Sequence, residues 1–470
     1  MDEGRPEPRR AEESMGGERR RSTRGTTPAE TARVVTSVLA PTVARGVIVR
    51  RPVGEALVSA LDLDRGLVST LRSLRERYGD DPLPLDHLGR SAALVLNPED
   101  VRTLLRGTPD PFSPGGAEKR GALSHFQPHG ALISRGGPRA LRREANEEAL
   151  ALGRAVHPDA DAIAGHAEEE ARTLVAALRG ARGAGSELDW SRFSQSFDAL
   201  ARRVVFGAFA AEDRRTTGLL KTLRSRANWS YLAPVSERTR RTFLDRVREN
   251  VDRAATDSLA ARLGRPGSEE HPEDQVAHWL FAFDAAAVAT YRALALLTCA
   301  GPAADAARDE GLTETGNDLP LLRATLRESV RLWPTTLVVI RESTRETTWR
   351  EGTFPEGTAF LMMSSYFHRD SARTPYADTF DPEIWRDGRA ERDPGILPFG
   401  YGPAGCPGRD LVPLTVSLFL RSLIRNGPPR RADDGPPLRY RGLPASLDHF
   451  ALRFSYPDVS MKNETGGIAP

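Results

Sequence analysis

The sequence predicts a mainly α-helical protein with small β-sheets, organised as one large domain, and three observations carry that expectation. From Arg139 to about Arg262 the text is rich in Ala, Leu, Arg and Glu at helical spacing, with breaks at Gly180 to Gly185 and around Pro234. Pro272 opens about 28 residues without Gly or Pro, Glu273 to Ala300, which as one helix would span roughly 42 Å at 1.5 Å per residue. Strand-like text is confined to short segments, chiefly TTLVVIREST and GTAFLMMSSY.

In chain order, the first 28 or so residues mix charges of both signs with Gly, Pro, Ser and Thr. They carry too few apolar groups to offset their ordering entropy, so residues 1–30 are expected to be a disordered tail and 31–470 the folded domain. Arg19 to Arg21 suggest a twin-arginine export signal, but the apolar text downstream is interrupted by Arg33, Pro41 and Arg45. A cytoplasmic protein is the simpler expectation, and Met15 is an alternative start. Ala92 to Leu96 reads as a short buried strand, followed by Asn97 as an N-cap and Pro98 at the first helical position. Residues 107 to 130 are dense in Pro and Gly yet keep Phe112 and Phe126, the composition of a long loop covering a pocket. The most apolar stretch, Val276 to Cys299, approaches membrane-spanning length but holds His278, Asp284 and Arg292, so a long buried helix is expected and no membrane span. A further helix is predicted over Leu321 to Trp333, and another from just after Cys406 to about Arg425.

Composition narrows the function. The chain has 470 residues, with 66 Lys and Arg against 64 Asp and Glu, a formal net of +2. Neither nucleic acid nor another polyanion is the default partner. Only three of the basic residues are lysine: Lys119, Lys221 and Lys462. The two cysteines, Cys299 and Cys406, lie far apart in sequence and indicate no disulfide framework.

The chemistry concentrates in LPFGYGPAGCPGRDLVPL, residues 397 to 414. Gly400, Gly402 and Gly405 satisfy G-x-G-x-x-G, but the dinucleotide mechanism behind that pattern needs a preceding buried strand and an acid about 20 residues on, and neither is present. The glycines do allow a tight hairpin that brings the Cys406 sulfur and several N–H groups to one flat ligand, beside a helix N-terminus that favours a thiolate. A lone cysteine is otherwise most often an inert buried one. His125 and His129 have metal-pair spacing, but Pro128 and Gly130 disfavour the helix that would align them, and no metal is expected there.

Phe399-x-x-Gly402-x-x-x-Cys406-x-Gly408 resembles the haem-thiolate signature of the cytochrome P-450 superfamily. Glu328 and Arg331, an E-x-x-R pair followed by Leu332, Trp333 and Pro334, resemble a second element of the same family. The likeness implies the cytochrome P-450 fold, with haem b (iron protoporphyrin IX) between the long central helix and the helix that follows the cysteine loop. It implies that Cys406 is the axial ligand of the haem iron and that Phe399 lies against the haem and shields the sulfur. Gly402 and Gly408 would permit close backbone approach, and peptide N–H groups would tune the iron through bonds to sulfur. Arg341 matches the family's propionate-binding arginine, and Arg142 or Arg143 fits the second propionate position.

The resemblance also places Ala286-Ala287-Val288-Ala289-Thr290 where the family has its oxygen-handling sequence. Thr290 would be the catalytic residue, holding a water or bound oxygen by hydrogen bonding, with Ala286 and Ala287 leaving room on its face. The usual acid before the threonine is replaced by Ala289. Asp284, about 120° around the helix from Thr290, is expected to make a structural hydrogen bond or salt bridge instead. Two further departures are Ala404, where a propionate-binding Arg or His is common, and Ile384, where an Arg normally joins the E-x-x-R pair. Arg386 or Arg369 is the expected replacement. Phe112, Phe126, Phe281, Ala286, Ala287, Leu337 and Val338 fall in segments that line the family's substrate pocket.

The function these features imply is a haem-thiolate monooxygenase of secondary metabolism that hydroxylates or epoxidises an apolar small molecule with O2. A monomer is expected, with electrons from a ferredoxin- or flavodoxin-type donor and its reductase. The missing acid keeps open an atypical coupling, desaturating or peroxide-driven enzyme, and a non-catalytic haem-binding sensor or scaffold is the alternative outside enzymology.

Overall fold

Helix starts are written into the sequence wherever Pro or a small polar residue can occupy the first free turn, and the computed structural model uses these signals repeatedly. It describes residues 25–181, 183–230, 233–263 and 270–456. Most of the expected tail, residues 1–24, lies outside the described residues, and its last part does not behave as a tail. Thr27 caps a helix, Pro28–Val34, in a reciprocal capping box with Glu30. Asn97 accepts from the Glu99 N–H, and Pro98 opens the helix Pro98–Arg106 as the sequence predicts.

The long helix runs Pro272–Leu297, with Pro272 at its start, and most of its residues are buried. It packs against the helices Trp190–Phe206, Glu237–Asp252, Pro320–Leu332 and Leu411–Arg425. Among the described residues it is the one helix long and apolar enough to cross a membrane, yet 78% of its most apolar window is buried in the protein. Its apolar surface is committed to the larger of two main cores, in which Phe193, Phe197, Tyr291, Phe419 and Phe454 meet.

The smaller main core lies under a five-stranded sheet whose order is Leu83–Pro84, Ala92–Leu94, Ala359–Met363, Val338–Ser343, Phe112–Ser113. The strand Ala359–Met363 is buried at every position, as a central strand covered on both faces should be. It pairs antiparallel with Val338–Ser343, which sets Arg341 opposite Phe360.

Two expectations change. The covering segment 107 to 130 is not a loop throughout, because it contains the strand Phe112–Ser113 and the helix Ala117–Leu123. Distant partners hold it: Glu342 accepts from the Ala117 N–H at 3.3 Å, and Arg240 donates to the Ser124 carbonyl at 2.8 Å. The helix after Cys406 starts at Leu411, once the chain has completed a turn.

Candidate haem and substrate site

Gly400 and Gly402 both take φ of +69°, a conformation that glycine adopts without Cβ strain, and they fold residues 399 to 406 into a hairpin. The Cys406 N–H donates to the Phe399 carbonyl at 2.8 Å and the Gly405 N–H to the Gly402 carbonyl at 2.9 Å. A Cβ on Gly402 would stand 2.3 Å from the Leu105 carbonyl oxygen, so the close approach is to the end of the helix Pro98–Arg106. At Gly408 a Cβ would meet only ordinary contacts, Val412 at 3.5 Å and Cys406 Sγ at 3.8 Å. No described protein atom therefore demands glycine at that position. Cys406 is half-buried. Burial pushes its thiol up, while the Gly408 N–H and the Arg143 and Arg409 charges oppose that shift. Cys299 contrasts with it: buried, and with its thiol pushed up to about 12 by burial, it is a packing residue.

Phe399 is half-buried and lines a crevice with Arg102, Trp385, Tyr401 and Arg409 on the outer side of the hairpin. Arg139 and Arg143 flank Ala404 by reaching the carbonyls of Pro403 and Gly405, at 3.4 and 2.6 Å. Arg143 also pairs with Glu147 at 2.5 Å, and Arg142 donates to Ser134 Oγ at 2.6 Å. Arg341 is 3% exposed and donates to Thr108 Oγ1 at 3.0 Å. Burial, reinforced by the Arg139 charge, brings its guanidinium down to about 10.

Sequence reasoning passed over Lys119, on the helix Ala117–Leu123. Among the described residues it has neither a hydrogen-bond nor an ion-pair partner, and burial, then the Arg341 charge, lowers it to about 7. The signal available was its rarity, as one of three lysines in the chain.

On the long helix Thr290 is fully buried, and its hydroxyl donates to the Ala286 carbonyl at 2.7 Å. Of the two structural roles expected for Asp284, the structure shows the salt bridge, with Arg224. Phe126 and Phe281 meet with ring centroids 5.2 Å apart, and His278 lies 5.9 Å from Phe281. His278 Nδ1 is 2.9 Å from Gln127 Oε1, so the helix also holds the covering segment by a polar contact the sequence did not announce. Leu337 is 7% exposed yet joins none of the hydrophobic cores, and Val338 is half-buried beside it. Phe112 does not join this group. It packs against Phe360 and Trp349 in the sheet core, at 5.6 and 6.0 Å between centroids, because its strand pairs with the far end of Val338–Ser343.

Glu328 and Arg331 are fully buried and doubly bonded, at 2.6 and 2.8 Å. Neither Arg386 nor Arg369 joins them, because Arg386 pairs with Glu383 and Arg369 with Asp378. Trp385 takes the place instead, its indole N–H donating to Glu328 Oε1 at 3.0 Å.

The site thus brings together a half-buried thiol in a glycine hairpin, a long helix carrying a buried threonine, and a buried arginine and a half-buried lysine that have no ion-pair partners among the described residues. Residues 311–427 match the family model described as Cytochrome P-450. Over 114 residues the chain is 33% identical to the mitochondrial sterol 26-hydroxylase of Mus musculus, covering 23% of this chain and 21% of that protein. Over 120 residues it is 36% identical to cyclooctat-9-en-7-ol 5-monooxygenase of Streptomyces melanosporofaciens, covering 24% and 26%. The matched segments thus span well under two thirds of these curated relatives. The fold matches that of retinoic acid-bound cyanobacterial CYP120A1 with a TM-score of 0.64 at 18% identity, over 82% of this chain and 93% of that one. Residues 311–427 thus carry a cytochrome P-450 family match, and the chain as a whole has the cytochrome P-450 fold.

Haem b, the cofactor of that family, fits the residues present. Among the described residues, buried Arg341 and half-buried Lys119 have no carboxylate partner, which suits a ligand bearing two carboxylates. Gly408 lies beside the sulfur that would ligate iron, its Cβ position 3.8 Å from Cys406 Sγ.

Proposed function

We propose that this protein is a haem-thiolate monooxygenase that uses O2 to hydroxylate or epoxidise an apolar small molecule of secondary metabolism. Electrons would come from a separate ferredoxin- or flavodoxin-type donor with its reductase. The observation that carries the reading is Cys406, half-buried at the end of a glycine hairpin closed by its own N–H on the Phe399 carbonyl at 2.8 Å. Bound haem would supply the oxidising chemistry. The chain's own part is to bind and orient. Cys406 ligates, with the Gly408 N–H tempering the charge on its sulfur. Arg341, Lys119 and Arg142 hold carboxylates. Thr290, whose hydroxyl proton goes to the Ala286 carbonyl, keeps its lone pairs for accepting a hydrogen bond from water. Phe126, Phe281, Ala286, Ala287, Leu337 and Val338 supply apolar walls that exclude water.

The carbon monoxide difference spectrum of the dithionite-reduced holoprotein tests this. A strongly red-shifted Soret band, lost in Cys406→Ser, is expected; haem absent from well-folded protein would overturn the reading.

One observation favours a peroxide-driven or otherwise atypical reaction as a second reading. Thr290 is preceded by Ala289, and the nearby acid Asp284 is bound to Arg224. Product formation from hydrogen peroxide without redox partners, at a rate exceeding the electron-driven reaction, would select it.

A further inference from the structure

At the outer end of the long helix, a group of side chains gathers that the haem site does not use. His271 precedes Pro272 with φ of +47°, and its ring stacks on that of His129, centroids 4.0 Å apart and planes 15° from parallel. His271 Nδ1 lies 3.7 Å from Glu273 Oε1, and one donor atom each of His271, Glu273 and Asp274 falls within 4.8 Å of the others. Carboxylates in a first helical turn are explained by the helix dipole alone. A buried carboxylate oxygen without a donor is not. Asp274 is 1% exposed; its Oδ1 accepts from the His129 N–H at 2.8 Å, while its Oδ2 is buried with no hydrogen-bond partner. Among the described residues, Arg248 is the positive group bonded to this cluster, reaching Glu273 Oε1 at 3.0 Å.

We propose that His271, Glu273 and Asp274 bind a divalent transition-metal ion, with Zn2+ the best match to one imidazole and two carboxylates and with water completing the coordination. Tetrahedral donors at about 2.1 Å from zinc stand about 3.4 Å apart. The three donor atoms, within 4.8 Å of one another, would have to draw about 1.4 Å closer to reach that spacing. The His271 side chain, 31% exposed, provides the route from solvent. Occupation would also act on the covering segment, because the same turn holds it. Asp274 takes the His129 N–H, while Gln275 takes the Ala131 N–H at 3.1 Å and donates to the His129 carbonyl at 3.1 Å. A bound ion would fasten residues 129 to 131 to the long helix.

The test is calorimetric titration of ZnCl2 into the full-length protein as purified, stripped with a chelator, with amide hydrogen exchange measured in parallel. One equivalent of Zn2+ is expected to bind, at least about tenfold more weakly in Asp274→Asn and in His271→Ala. Exchange at His129 and Ala131 is expected to slow with zinc in the wild type alone. His271→Ala alters a partly exposed ring and keeps the test available should Asp274→Asn fail to fold. Binding of equal strength in wild type and His271→Ala, or no binding below millimolar zinc, would overturn the proposal. The readout is independent of catalysis, so failure of the haem reading leaves it intact.

Discussion

The indole N–H of Trp385 donates to Glu328 at 3.0 Å, completing a buried acid that already holds Arg331 through two bonds and accepts the Asp381 N–H at 2.9 Å. An uncharged donor thus sits where the family's pattern has a second arginine. Glu328 is fully buried, so each donor lost leaves a desolvated oxygen. Trp385→Phe keeps the ring and removes the N–H, and is expected to cost about 1–2 kcal/mol in urea unfolding of the holoprotein. Glu328→Gln, which leaves Arg331 buried without its charge partner, is expected to cost about 3–5 kcal/mol.

Gly402 joins two demands, a left-handed φ and a close approach to Leu105. Gly402→Ala is expected to destabilise by more than about 2 kcal/mol and to speed haem loss. Transfer of haem to a scavenging apoglobin reads the second effect. Gly408→Ala meets only ordinary protein contacts. It is expected to leave the haem-free fold unchanged while weakening haem retention.

Phe112 and Phe281 separate packing from ligand contact. Phe112→Ala opens the sheet core and is expected to cost about 3–5 kcal/mol, with little change in the affinity of an azole ligand for the haem-loaded protein. Phe281→Ala removes the ring that meets Phe126, and is expected to shift that affinity by about tenfold. A spectral titration of each variant with phenylimidazole distinguishes the two.

His278 carries a pH dependence of defined sign. Burial, then the Arg143 and Lys119 charges, brings its imidazole from 6.5 down to about 4. Between these values the unfolded chain takes up a proton that the native state refuses, so stability is retained above about pH 6.5 and falls as pH drops toward 4. His278→Gln is expected to flatten that part of the profile, measured as the urea midpoint at pH 7 and pH 5.

Much of the site was legible because its residues are close in sequence and bound by backbone geometry. The Cys406 hairpin needs its glycines whatever packs around it, and Asn97-Pro98 marks a helix start without tertiary help. Phe112 was misplaced because strand pairing, which joins residues far apart in the chain, decides which way that ring faces. Lys119 and Trp385 were passed over for a related reason. A buried cation is recognised only when its neighbours are known, and the donor for Glu328 comes from 57 residues downstream.

By itself, then, the sequence determined the helical class, the long helix and the cysteine hairpin, because periodicity, proline and glycine act within a few residues, while the E-x-x-R pair stood out only through its family resemblance. Tertiary structure alone decided that the covering segment folds as a strand and a helix, that Arg143 reaches the hairpin, and that His271, Glu273 and Asp274 converge beside His129. Those outcomes depend on which distant groups share a desolvated space, where the energy of a charge or a donor is set by its partners rather than by its neighbours in the chain.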